Sequence, residues 1–348
     1  MKKTIINILK IIIPLFLGVY IFWYFWSSFD AQQKQDFFNV FKEADYFWVA
    51  IALVIGFISH WSRAVRWKYA LKPMGYAPST FNSYNAIMIG YIANILVPRM
   101  GEASRAGVLQ TTEKVPFTKG FGSIVAERII DVICLGIIAG SAFLFNVDKI
   151  YEFINLTQTK KESTGETGMS IWLIIAICVF VLGGLGFIYL YRTKPKFKEK
   201  FLGFFKGLME GLFAIFKMKD RVPYLLHTVL IWTCYVGMFW VVFFATDFTK
   251  DLPISAVMIG FVAGTIGFIV TQGGIGTYPI MVGAVITFSS NPELLVESGL
   301  DGILGKHFGF GGLVWASQTV LIVILGLISL VSVQISKKKS KVEGIEGR

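Results

Sequence analysis

Three cysteines and three histidines in 348 residues leave little for redox or metal chemistry to work with. Cys134, Cys178 and Cys234 each fall inside an apolar run. They read as small buried hydrophobes, with neither a disulfide framework nor metal-ligand spacing. His60, His227 and His307 are scattered along the chain, so no histidine-based metal site is expected, and no cofactor. Acid is also scarce: 22 Asp and Glu face 33 Lys and Arg, a net charge of +11. Excess base can mean nucleic acid, but here the cations lie in the connections between apolar runs, so no nucleic-acid partner is expected.

What the chain has is apolar length. It is 55% hydrophobic and 16% aromatic, with a mean hydropathy of +0.64. Several apolar runs approach the ~20 residues that cross a hydrocarbon core about 30 Å thick. The expected class is all-α, a polytopic integral membrane protein. About six full spans are expected, at 5–28, 46–62, 121–146, 170–191, 222–246 and 308–333. Two further apolar segments, 84–97 and 254–289, are broken. The run from Ile5 lacks a small-residue cleavage site and reads as a retained first span. Residues 1–341 are expected to form one transmembrane domain. The ending Ile345-Glu-Gly-Arg348 looks like a protease-cleavage remnant, so 342–348 is set aside.

Lys and Arg set the orientation. Arg63, Arg66, Lys68 and Lys72 occupy one connection, nine cations lie between Arg192 and Arg221, and Lys337, Lys338, Lys339 and Lys341 close the chain. The opposite connections (29–45, 147–169, 247–253 and 290–307) hold no Arg and are rich in Asp or Glu. This places both termini in the cytoplasm of a plasma (inner) membrane protein. The phenylalanines of 192–221 recur at helical spacing among lysines, as in an amphipathic helix lying on anionic lipid of the cytoplasmic leaflet, or a solvated loop.

The two broken segments resemble each other. Ala86, Met88, Ile89, Gly90 and Ala93 recur as Ala256, Met258, Ile259, Gly260 and Ala263. The charge rule gives their flanking spans opposite directions, so the halves, about 46–146 and 222–333, read as an inverted repeat with re-entrant or extra-spanning helices. Non-helical backbone at membrane depth must be buried in protein or line a cavity. After Pro98, a new helix from about Gly101 offers free N–H groups that suit an anion. Arg99 and Arg105 add forked donors matched to phosphate, with Asn94 and Arg66 as further candidates. Glu102 lies three residues before Arg105 on the same face. The alternative is an interfacial helix start with a local Glu–Arg pair.

A second charged set, Glu127, Arg128 and Asp131, lies inside a span. Asp131 falls about 15 Å into it at 1.5 Å per residue. Such charges are costly unless paired or wet. They read as balancing or gating the arginines, with Asp131 either a proton carrier or part of a static bridge to Arg128. At the mirror position, Gln272, Gly273, Gly274 and Gly276, with Tyr278, could line a second vestibule, and Gln318 could face it.

The patterns Asn94-x3-Pro98-Arg99-x-Gly101-Glu102-x2-Arg105, Glu127-Arg128-x2-Asp131 and Gly273-Gly274-Ile275-Gly276 together resemble the flippase-like family, the transmembrane region of lysylphosphatidylglycerol synthases, which also occurs as stand-alone proteins. Arg66-Trp67 fits the same pattern. Where many relatives carry a glutamate after the glycine run, this chain has Tyr278-Pro279. The resemblance implies passage of a phospholipid, or a polyprenyl-phosphate-linked lipid, between leaflets. Without the soluble aminoacylating domain, it implies no enzyme activity. An intramembrane transferase or a non-transporting scaffold is the alternative, and the oligomeric state is unknown. Single cysteines at Ser163 and Ser340, in a background free of native cysteine, are expected to label from opposite faces of sealed cells; labelling of both from outside would overturn the orientation and the inverted repeat with it.

Overall fold

The computed structural model describes residues 2–98, 100–164, 189–195, 197–199, 202–203 and 218–346. Arg99, most of the expected span 170–191 and most of the amphipathic segment 192–221 lie outside the described residues. Helices account for nearly all of what is described, and no strand occurs there. In chain order they are α1 (Lys2–Ser28), α2 (Ala31–Glu43), α3 (Tyr46–Leu71), α4 (Thr80–Leu96), α5 (Met100–Glu113), α6 (Phe117–Phe145), α7 (Val147–Thr164), α8 (Arg221–Val242), α9 (Ile254–Val270), α10 (Thr277–Ser290), α11 (Pro292–Ser298) and α12 (Gly305–Glu346).

Among the described residues four helices are long and apolar enough to cross a membrane, or five if the bent pair α10–α11 counts as one span. Their outward faces are apolar. On α12, Val320, Ile324, Leu327, Ile328, Val331 and Ile335 are all exposed, and they follow the 3.6-residue period of one helical face. In water such a face would be a liability; against acyl chains it is the expected surface. α3 outlasts its expected end at residue 62 and runs to Leu71. Charge at Arg63 does not stop it, because nothing between Ser62 and Leu71 breaks a helix and Arg63 finds partners inside the protein.

α3 and α8 are antiparallel and joined along their length. Asp45 N–H donates to the Ala245 carbonyl at one end, Ser62 meets His227 midway, and Lys72 pairs with Asp220 at the other end. The broken segments are hairpins. α4 is capped by Ser79, whose hydroxyl accepts from Asn82 N–H. It stops at Val97, which is extended (φ −138°), because a residue before proline is pushed out of the helical region. α5 then runs back along α4. The two ends meet where Ser79 N–H and Asn82 Nδ2 both donate to Glu113. The segment therefore enters and leaves on one side.

α9 and α10 repeat the plan. They have 17 and 14 residues, the same lengths as α4 and α5. Their outer ends both reach the α6–α7 junction, through Asn146 to the Ser255 carbonyl and Lys149 to the Ser289 carbonyl. That junction lies at the far end of α6 from Glu113, so the hairpins enter from opposite sides. Their tips touch: Gln272 Nε2 donates to the Ile95 carbonyl at 2.9 Å.

Close backbone approach makes the first hairpin possible. Gly90 and Gly101 face each other across it, and a Cβ on Gly101 would collide with Asn94 and with the Gly90 carbonyl. Gly107, on the same helix, has open space at its Cβ position. Gly101→Ala is expected to lose about 1–3 kcal/mol by overpacking, whereas Gly107→Ala gains up to about 1 kcal/mol of helix propensity. Thermal unfolding in detergent followed by size-exclusion recovery measures both; equal behaviour of the two variants would contradict the hairpin packing.

Candidate functional site

Five ionised side chains from three helices converge beneath the first hairpin. α3 supplies Arg63 and Arg66 at i and i+3, so both lie on one face. α5 supplies Arg105, and α6 supplies Glu127 and Asp131 at i and i+4. Arg66 Nη2 donates to Glu127 Oε1 at 2.6 Å and to Asp131 Oδ1 at 3.1 Å. Arg63 Nη1 lies 3.3 Å from Glu127 Oε1 and 3.1 Å from Asp131 Oδ2. Arg105 Nη2 reaches the other Glu127 oxygen at 3.0 Å. Arg66 Nη1 also donates to Thr228 of α8 at 3.2 Å. Arg66 is 0% exposed, Arg105 1% and Glu127 2%.

Charge does not balance in this set: three guanidinium groups meet two carboxylates, which leaves one buried positive charge. Arg105 carries the surplus. Its Nη1 and Nε have no partner among the described residues. Its guanidinium lies 4.3 Å from the centre of the Trp67 ring, a cation–π contact that spreads the charge without neutralising it. Trp67 is in turn fixed by its Nε1–H to Ser123 at 2.9 Å.

Arg128 and Glu102 form an outer pair at 3.2 Å, with side chains 42% and 27% exposed. Glu102 thus meets Arg128 of α6, and the expected pairing with Arg105 on its own helix does not form: Arg105 turns inward to Glu127. The expected Asp131–Arg128 bridge is the longest contact of the set at 3.9 Å, and Asp131 is held by Arg63 and Arg66. Asn94 spends its carboxamide oxygen on Gly101 N–H at 2.7 Å, capping the start of α5 in place of a ligand. Arg63 was not singled out by its sequence, although an arginine three residues before Arg66-Trp67 in an unbroken helix is a legible signal.

The second break is built from hydroxyls and glycine. Gly273, Gly274 and Gly276 all have positive φ, 65°, 76° and 76°, a region open to glycine at little cost. Trp315 Nε1 donates to the Gly273 carbonyl at 2.7 Å, and Thr271 and Thr277 hydroxyls meet at 2.5 Å. Tyr278 packs against Gly264, and the Gln318 carboxamide lies against Gly56 of α3. Gly276 sits against Gly18 and Phe22 of α1. Gln272 ties this tip to the first hairpin, so the two breaks share one junction. Among the described residues no group of His, Cys, Asp and Glu is placed to hold a metal ion.

Removing one member of the buried set strands the others. Glu127→Gln is expected to cost about 3–5 kcal/mol, while Arg128→Gln at the exposed rim costs under about 1 kcal/mol. Asp131→Asn should be rescued by a second change at Arg63 and not by one at Arg128. Melting temperatures in detergent distinguish these; rescue through Arg128 would overturn the pairing described.

A family model for the lysylphosphatidylglycerol synthase transmembrane region matches residues 11–297. A UPF0104 membrane protein of Methanocaldococcus jannaschii is 24% identical over 317 residues, 84% of this chain and 88% of that protein. The glycosyltransferase AglD of Haloferax volcanii is 33% identical over 103 residues, 29% of this chain, and the match spans only 16% of that protein. No solved structure matches the chain. The matched region contains both hairpins and the whole ionised set, and the chain belongs to the family of the lysylphosphatidylglycerol synthase transmembrane region.

Proposed function

We propose that this membrane protein binds the phosphate of an anionic lipid at Arg105 and Arg63 and assists its passage between leaflets. The observation that carries this reading is the uncompensated positive charge. A buried guanidinium with two idle nitrogens is expensive in a low-dielectric interior. A phosphodiester supplies one negative charge and oxygens that a forked donor can grip. The site sits at the start of a re-entrant helix, where the chain approaches mid-depth and meets the second hairpin. The family name supports a lipid carrying a phosphate, either a phospholipid or a polyprenyl-phosphate-linked lipid.

The Arg128–Glu102 pair supports a lateral route. It is the most exposed part of the ionised set, and α6 beside it presents Val125, Val132 and Ile133 outward. A headgroup entering from the bilayer would meet these two before Arg105. Arg66, whose two terminal nitrogens are engaged by Glu127, Asp131 and Thr228, serves in this reading to hold the carboxylates in place. A transport role is favoured over a transferase because every oxygen of Glu127 and Asp131 accepts from an arginine, which leaves neither carboxylate free to act as a base. The basic connections face the cytoplasm in this reading, as the charge rule requires.

Reconstituted vesicles carrying a fluorescent anionic phospholipid test the proposal through loss of the outer-leaflet signal to a membrane-impermeant quencher. Wild-type protein is expected to accelerate exchange. Arg105→Gln should slow it by about 10-fold or more, equivalent to one charge-assisted hydrogen bond. Arg105→Lys should retain part of the rate, since it keeps the charge without the planar fork. Normal exchange by a folded Arg105→Gln protein would refute the assignment.

A further inference from the structure

The polar face of α3 continues one turn deeper than Arg63. His60 is 4% exposed, and neither of its ring nitrogens has a partner among the described residues. Buried polar side chains are seldom left this way. The imidazole lies 5.1 Å from the Tyr91 ring of α4 and 6.4 Å from the Tyr235 ring of α8. Tyr235 also lies 5.7 Å from the Arg63 guanidinium. One aromatic side chain therefore borders both the arginine and the histidine, and three helices surround the idle ring.

The surroundings select what such a ring could take. A cation is disfavoured by Arg63 next to it. An anion gains more from the guanidinium groups than from an imidazole. A hydroxyl group both donates and accepts, matching the one donor and one acceptor of a neutral imidazole. Reach agrees as well. The Tyr235 ring borders both the His60 imidazole and the Arg63 guanidinium, so one bound headgroup would meet both groups.

We propose that His60, flanked by Tyr91 and Tyr235, is a headgroup-alcohol subsite. It takes a hydroxyl of a glycerol- or sugar-bearing lipid whose phosphate lies on Arg63 and Arg105. This rests on the lipid-phosphate reading and adds to it a preference among phosphodiesters of equal charge.

Three lipids separate the two ideas: phosphatidylglycerol, phosphatidylinositol and phosphatidylethanol all carry one phosphodiester, but the last has no headgroup hydroxyl. Competition binding to the purified full-length protein in detergent is expected to favour one of the polyol lipids over phosphatidylethanol by about 10-fold, the scale of a single good hydrogen bond. Which polyol wins identifies the glycerol or the sugar as the source of the hydroxyl. His60→Phe should erase the preference while leaving phosphatidylethanol affinity unchanged, and His60→Gln, which keeps a donor and an acceptor, should retain part of it. Equal wild-type affinity for all three, or an equal loss for all three in His60→Phe, overturns the subsite and leaves the phosphate reading standing. Failure of all three to bind the wild-type protein overturns both.

Discussion

The Glu127 carboxylate is the interaction on which the first half of the molecule depends. One of its oxygens accepts from Arg66 and Arg63 of α3, and the other from Arg105 of α5. A single acid on α6 thereby holds a spanning helix and the returning arm of a hairpin. Hydrophobic association does not order helices in lipid, where the surroundings are as apolar as the side chains. Buried ion pairs have no water to compete with them there, and their geometry can dictate which helices meet and in what register. The apolar contacts of Trp67, Ile87, Met88, Leu109 and Ile124 then fill the space around that arrangement.

The hairpins give the fold its second constraint. Each is too short to cross alone, and each turns where backbone groups need partners inside the protein. Asn94 accepts from Gly101 N–H at the first turn, and Thr271, Thr277 and Trp315 donate to the Ile275, Gly267 and Gly273 carbonyls at the second. The bond from Gln272 to the Ile95 carbonyl joins the tips. Two segments that share a short sequence pattern thus end at one place from opposite directions, through different chemistry.

Much of this was legible in the chain, for local reasons. Pro98 announces the first turn because proline restricts its predecessor, and the run Gly273-Gly274-Ile275-Gly276 announces the second. The apolar lengths and the arginine-free connections carry the class of the protein. The partners of the charges were less legible. Reading a span to end at its first arginine cut α3 short and left Arg63 in a loop. Only the carboxylates of α6, more than sixty residues away in sequence, make that arginine tolerable within the helix. Local spacing suggested Glu102 with Arg105 and Arg128 with Asp131. The fold reassigns these partners: Glu102 takes Arg128, Arg105 takes Glu127, and Asp131 is held by Arg63 and Arg66. His60 carried no motif at all; its meaning comes from Tyr91 and Tyr235, which arrive from two other helices.

The two hairpins match in helix length and differ in bonding. Drawing α5 away from α6 would separate Arg105 from Glu127 and leave buried charge bare, at about 3–5 kcal/mol. Sliding α9 and α10 against α12 would surrender neutral hydrogen bonds such as Trp315 to Gly273, each worth about 1 kcal/mol. In mechanical terms the shared tip joins a hairpin anchored by charged bonds to one anchored by neutral ones.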